Sequence, residues 1–132
     1  LAKVDQPLRR GGFVLLKTTS SNGQGKGIGR SAAKYLVEQG VSLVGTDHGG
    51  IDNPSNRDRP GHMTLLGNNV LIVENLANLD RIVNREVLFV AAPLAFEGGT
   101  GSPVRPIAIY PYVEAAWSIL YSFHHGEEDQ PT

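Results

Sequence analysis

The stretch that decides the fold runs from residue 11 to residue 46 and reads GGFVLLKTTSSNGQGKGIGRSAAKYLVEQGVSLVGT. Residues 13–18 are mostly apolar and predict a buried strand, whereas residues 31–39 carry apolar side chains at helical spacing. Gly40 is the glycine expected just past the end of a helix. Residues 41–46 form a second apolar run. The order strand, helix, strand predicts a βαβ unit whose two strands are parallel neighbours.

The rest of the chain continues this alternation. A polar loop over residues 47–61 follows the unit, and Pro106 makes the last apolar run an edge strand at most. An amphipathic helix is predicted over residues 112–123, with a polar, acidic tail behind it. The remaining predicted elements are strands over 70–73, 87–92 and 104–109, and helical turns over 62–66 and 76–82. Together they predict an α/β fold with a central, largely parallel sheet and some antiparallel pairing at its edges.

Composition excludes several classes of protein. The chain has 132 residues, which is about one domain, and its 12 basic and 13 acidic side chains give a net charge of −1. That balance argues against nucleic acid as a partner. The absence of cysteine excludes disulfides, thiolate zinc sites and cysteine nucleophiles. No apolar run approaches the roughly 20 residues of a membrane span, so we expect no membrane partner and a cytoplasmic location.

The glycine-rich loop of the βαβ unit allows a first functional hypothesis, an NAD(P)-binding module. Gly23, Gly27 and Gly29 precede a helix, where backbone N–H groups could hold a pyrophosphate, and Asp47 stands about 20 residues further on. The Gly27-Ile28-Gly29-Arg30 stretch resembles short-chain dehydrogenases. Against this, extra residues separate the strand from the first glycine. No tyrosine is followed by a lysine four positions later.

A second resemblance covers about residues 12 to 110. The chain resembles the C-terminal half of the cyclase family of metal-dependent hydrolases, which includes bacterial kynurenine formamidases and isatin hydrolases. The resemblance implies a swivelling β/β/α fold, which we expect to be incomplete at its N-terminus in this chain. It also implies a divalent zinc or manganese ion, and hydrolysis of a formamide, lactam or similar acyl bond. The segments that carry it are AAKYLVEQGVSLVGTD (32–47), HMTLL (62–66), VLIVENLANL (70–79), APL (92–94) and GGTGSPVR (98–105).

The resemblance also implies site residues. A histidine and, 12 positions later, a glutamate face the metal in that family, and His62 and Glu74 match both. They are therefore the candidate catalytic and metal-ligating residues. Imidazole and carboxylate suit zinc or manganese, which acidify water enough for attack on a carbonyl. His48 and Asp52 could supply further ligands or polar contacts, Asp47 is expected to anchor its loop, and His124 and His125 are expected to be incidental.

One motif of the family is missing. Nothing in this sequence resembles its His-x-Gly-Thr-His-x-Asp motif, and two ligands do not make a catalytic zinc site. We therefore expect the chain alone to be inactive on an amide or lactam substrate. Because it begins at Leu1 rather than at methionine, it could be a processed or partial product. Otherwise a partner chain or a homo-oligomer completes the site, or the chain is a non-catalytic assembly subunit. Its predicted division is a cyclase-like domain, 1–110, and a helix with a tail, 111–132.

Overall fold

The computed structural model describes residues 7–18, 26–82 and 85–110, and the chain divides into two units, residues 1–83 and 84–132. The described residues of the first unit form three strands and two helices that alternate along the chain. Its elements are β1 (Phe13–Leu16), α1 (Arg30–Glu38), β2 (Leu43–Thr46), α2 (Pro60–Leu66) and β3 (Leu71–Val73), followed by a 3-10 turn (Leu79–Ile82). The strand order is β1-β2-β3 and both pairings are parallel. The predicted α/β class and the βαβ unit are thus confirmed.

The core of this unit lies between the sheet and the two helices. Val14, Val44 and Ile72 are register partners across the three strands, so their side chains share one face of the sheet. All three pack into the core cluster together with Ala33 of α1 and Leu65 of α2. The central strand β2 is buried along its whole length, because it lies between β1 and β3 and both helices pack against the face that carries Val44.

The ends of α1 follow the sequence closely. Gly40 adopts a φ of +73° and donates its N–H to the carbonyl of Val37, which is the predicted glycine stop. The helix begins one residue earlier than the periodicity predicted.

The second unit holds an antiparallel pair. Strand β4 (Leu88–Val90) pairs with β5 (Ile107–Ile109), and Pro93 and Val104 add an isolated antiparallel bridge. The prediction that the run 104–109 is an edge strand at most is confirmed for residues 107–109, but β5 starts only after Pro106 and belongs to a separate two-stranded sheet. Proline has no N–H to donate to a ladder, so regular pairing begins only beyond it.

Two predictions depend on which residues the structure describes. The helix over 112–123 and the tail lie outside the described residues, so the division at residue 110 stays a prediction. Within the described residues, no helix is long and apolar enough to cross a membrane.

Candidate functional site

The carboxyl ends of the parallel strands gather polar side chains at one edge of the sheet. Thr18 follows β1, Asp47 and His48 follow β2, and Glu74 follows β3 directly. Because the three strands are parallel, these residues lie at the same edge, which is where ligands bind in open α/β sheets.

Glu74 is held in place by the backbone around it. The N–H of Ile51 donates to Glu74 Oε1 over 2.8 Å. The next residue, Asn75, has a φ of +58°, a left-handed conformation that asparagine tolerates better than most residues. That turn lets the Asn75 N–H donate to the carbonyl of His48 over 3.0 Å. The end of β3 is thereby tied to the loop behind β2.

His62 lies in the first turn of α2, whose orphan N–H groups are all accounted for. Pro60 has no N–H, and the Met63 N–H donates to the carbonyl of Arg59 over 3.0 Å. The N–H groups of Gly61 and His62 both donate to the carboxylate of Asp52, which lies ten positions before His62. A side chain from the preceding loop therefore holds the start of the helix.

The three side chains of Asp52, His62 and Glu74 form a cluster with the imidazole in the middle. His62 Nδ1 lies 2.6 Å from Asp52 Oδ2, and His62 Nε2 lies 3.2 Å from Glu74 Oε1. The Asp52 side chain is 7% exposed, whereas those of His62 and Glu74 are 27% and 29% exposed. One end of the cluster is thus buried and the other is open to solvent.

The surroundings of the buried end favour the ionised form of Asp52. Burial opposes the charged form of Asp52, but hydrogen bonds from the His62 side chain and from the N–H groups of His62 and Gly61 outweigh it, and they hold the pKa of Asp52 below its ordinary value. Asp52 therefore acts as an anionic acceptor.

The other candidate residues have local roles. His48 Nδ1 lies 2.8 Å from the carbonyl of Gly50, a contact within its own turn. Asp47 Oδ1 accepts from the N–H and the hydroxyl of Thr18 over 2.7 and 2.9 Å, which confirms that it anchors its loop to the end of β1. His124 and His125 lie outside the described residues.

The glycine loop does not support the NAD(P) hypothesis. A Cβ on Gly27 would collide with the backbone of Asp52 and Asn53, and the neighbouring Ile28 N–H donates to the carbonyl of Ile51 over 2.8 Å. The close approach that Gly27 permits is therefore to the chain's own loop, not to a pyrophosphate. Gly23 lies outside the described residues.

Comparison with known proteins shows similarity to the cyclase family and to two kinds of hydrolase. The family model Cyclase matches residues 1–53. Isatin hydrolase of Roseibium aggregatum is 38% identical over 82 residues, which are 60% of this chain and 30% of that protein. Kynurenine formamidase of Bacillus cereus is 30% identical over 100 residues, which are 70% of this chain and 47% of that protein.

The solved structures that resemble this chain are also hydrolases of this kind. One described as a potential metal-dependent hydrolase with cyclase activity has a TM-score of 0.63 and 30% identity, covering 78% of this chain and 53% of its own. An isatin hydrolase bound to the product analogue thioisatinate has a TM-score of 0.70 and 26% identity, covering 80% and 47%. This chain thus spans about a third to a half of the length of these proteins.

The parallel sheet defines an α/β protein, and the likeness to these solved structures assigns it the cyclase-like hydrolase fold. The chain is similar in sequence and fold to cyclase-family metal-dependent hydrolases, which confirms the resemblance in its sequence. Neither the dehydrogenase-like NAD(P) module nor the non-catalytic assembly subunit gains support from these comparisons.

The sequence pointed to His62 and Glu74, and the structure brings them together. Asp52 was expected as a possible ligand or polar contact, but its place between the start of α2 and the imidazole of His62 was not predicted. A signal for this role was present in the sequence. Helix α2 begins with proline, and the residue before it, Arg59, has no side chain that caps the helix, so an aspartate in the preceding loop is a candidate for that task.

Proposed function

We propose that this chain supplies His62 and Glu74 to the site of a metal-dependent hydrolase that cleaves an amide-type C–N bond. The observation that carries this proposal is the 3.2 Å contact between His62 Nε2 and Glu74 Oε1 at the open end of the cluster. The relatedness to isatin hydrolase and kynurenine formamidase supports it, and it favours a lactam or an aryl formamide as substrate.

The residues present fit two ligands of a divalent ion. Imidazole nitrogen and carboxylate oxygen both bind zinc and manganese, and two such atoms already in contact can bind one ion together after small rotations. The part of the chain that the structure describes contains no group of three or more metal-ligating side chains placed to hold an ion. A further ligand must therefore come from elsewhere.

In the proposed reaction, residues of this chain would hold His62 and Glu74 in a fixed orientation and would take part in proton transfer. When bound, a divalent cation would polarise the substrate carbonyl and acidify a water. Ile51 fixes one carboxylate oxygen of Glu74, and Asp52 fixes one nitrogen of His62, so both groups keep a defined direction. An atom whose lone pair binds the ion cannot also take up a proton, so general base catalysis by this pair requires that only one of His62 Nε2 and Glu74 Oε1 ligates the ion while the other accepts the proton.

We further propose that a second copy or another chain contributes the missing ligand. Large apolar side chains exposed in both units support this: Phe13 and Leu71 on the parallel sheet, and Ile107 and Ile109 on β5, are each about half exposed or more. Exposed apolar groups of this size favour a protein partner. The zinc or manganese identity and the cytoplasmic location remain predictions.

The metal proposal is tested by elemental analysis of the purified full chain. We expect zinc or manganese to copurify with the wild-type chain and to fall at least severalfold in His62→Ala and in Glu74→Gln. Asp58→Asn is the matched control, because this exposed carboxylate pairs only at the surface with Arg30 over 3.3 Å. Equal metal content in all four proteins would overturn the proposed ligand roles.

The need for a further ligand is tested by activity. The isolated monomeric chain, supplied with either metal, is expected not to hydrolyse isatin or an aryl formamide. Turnover by the monomer would show that no ligand from another chain is required.

A further inference from the structure

Asp52 carries an inference that goes beyond the two proposed ligands. It is a 7% exposed carboxylate, and its two oxygens contact three nitrogen atoms. Oδ1 accepts from the Gly61 N–H, while Oδ2 accepts from the His62 N–H over 3.1 Å and lies 2.6 Å from His62 Nδ1. One side chain thus holds both the backbone and the ring of His62.

This arrangement determines which ring nitrogen carries the proton. An ionised carboxylate can only accept hydrogen bonds, so the contact with Asp52 requires a proton on Nδ1. The competing contact, from Nε2 to Glu74, is longer (3.2 Å against 2.6 Å) and more exposed to solvent. A shorter hydrogen bond in a less polar environment is the stronger one. A neutral His62 therefore keeps its proton on Nδ1 and presents a lone pair at Nε2.

We propose that Asp52 is a positioning residue that locks His62 in the Nδ1–H tautomer, with Nε2 directed at Glu74. The importance of this tautomer for metal binding rests on the proposed function, because a metal-ligating histidine needs a free lone pair on the ligating nitrogen. A carboxylate behind such a histidine fixes the tautomer and the ring direction.

The alternative is that Asp52 only holds the start of α2. Two substitutions separate the two roles. In Asp52→Asn, an amide N–H₂ replaces one acceptor oxygen, and where it faces Nδ1 it favours the opposite tautomer. In Asp52→Ser, a hydroxyl can still accept from a backbone N–H, as serine does at helix N-caps, but it is shorter and uncharged. Asp58→Asn again serves as the control.

The first measurement is the ¹⁵N NMR spectrum of the imidazoles in the metal-free full chain at alkaline pH, where the rings are neutral. We expect wild type and Asp58→Asn to show His62 as the Nδ1–H tautomer. We expect Asp52→Asn and Asp52→Ser to shift His62 toward the Nε2–H tautomer or a mixture. An Nε2–H tautomer in the folded wild-type chain would overturn the inference, whether or not any variant folds.

The second measurement is a calorimetric titration with Zn²⁺ alone. Loss of a partner behind a ligating histidine typically lowers affinity by about 10- to 100-fold, and we expect that loss in both Asp52 variants but not in Asp58→Asn. A folded Asp52→Ser with wild-type affinity and an unchanged tautomer would reduce Asp52 to a helix-holding role. If the wild-type chain has the Nδ1–H tautomer but binds no zinc, the proposal that His62 and Glu74 bind a metal in this chain fails, while the lock by Asp52 stands.

Discussion

At the scale of single residues, Gly61 shows how closely the backbone of α2 approaches the site. A Cβ at this position would lie 2.7 Å from Asp52 Oδ1 and 3.2 Å from its carboxyl carbon. Any side chain would therefore push the carboxylate away from the two N–H groups and from the imidazole. Glycine is required here by contact rather than by backbone angle.

We expect Gly61→Ala to lower the free energy of unfolding by about 1–3 kcal/mol, the usual cost of overpacking, and to weaken the His62 tautomer preference. Urea denaturation measures the first effect. Gly29→Ala is the control, because a Cβ there meets nothing within 4 Å; its loss should stay within about 1 kcal/mol. Equal losses in both variants would contradict the contact argument.

The pH dependence of stability also belongs to one residue. The folded-state pKa of Asp52 is lowered from its ordinary value of 3.8. Its contribution to stability is therefore complete above about pH 4 and is lost as the pH falls through the folded-state value. We expect the unfolding free energy of the wild-type chain to drop more steeply below pH 4 than that of Asp52→Asn. Parallel curves for the two proteins between pH 5 and pH 2 would show that Asp52 is not the group responsible.

At the scale of elements, the segment before α1 packs on the loop before α2 through Gly27. The backbone of Asp52 and Asn53 occupies the space that a Cβ of Gly27 would take. Because backbone atoms cannot rotate away as side chains do, the loop itself would have to shift. Gly27→Ala should therefore cost roughly 2–4 kcal/mol of stability, at or above the upper end of overpacking effects. Thermal unfolding measures it, and a loss no larger than that of Gly29→Ala would contradict the packing.

The elements also show what the sequence could predict. Apolar periodicity was enough for β1, α1, β2 and the parallel order, because these depend on local patterns and on burial. The contact between His62 and Glu74 followed from the family resemblance. The role of Asp52 could not be predicted, because its loop conformation depends on Gly27, Glu74 and Gly61, which lie up to 25 residues away. The separate β4–β5 pair was also missed, since strand patterns do not specify which sheet a strand joins.

At the scale of the whole molecule, the two units differ in how well they protect their hydrogen bonds. Strand β2 is buried throughout, whereas the residues of β5 are all exposed. A two-stranded ribbon is marginal in water without a covering layer. Hydrogen exchange of the isolated chain should therefore be slowest at Val44 and its neighbours and much faster in β4 and β5. Equal protection in the two units would indicate that something covers the ribbon, as the proposed partner would.

The position of the cluster along the chain has a consequence for folding kinetics. Asp52 contacts His62 ten positions away, Glu74 follows His62 by twelve, and the Ile51–Glu74 bond spans 23 positions. The anchor from Thr18 to Asp47 instead spans 29 positions across the βαβ crossover. Closing a loop of about ten residues takes roughly 10–100 ns, and short-range contacts carry the smaller entropic penalty. The side chains of this cluster thus make contacts of shorter range than the Thr18–Asp47 anchor, and their assembly can precede the docking of β1.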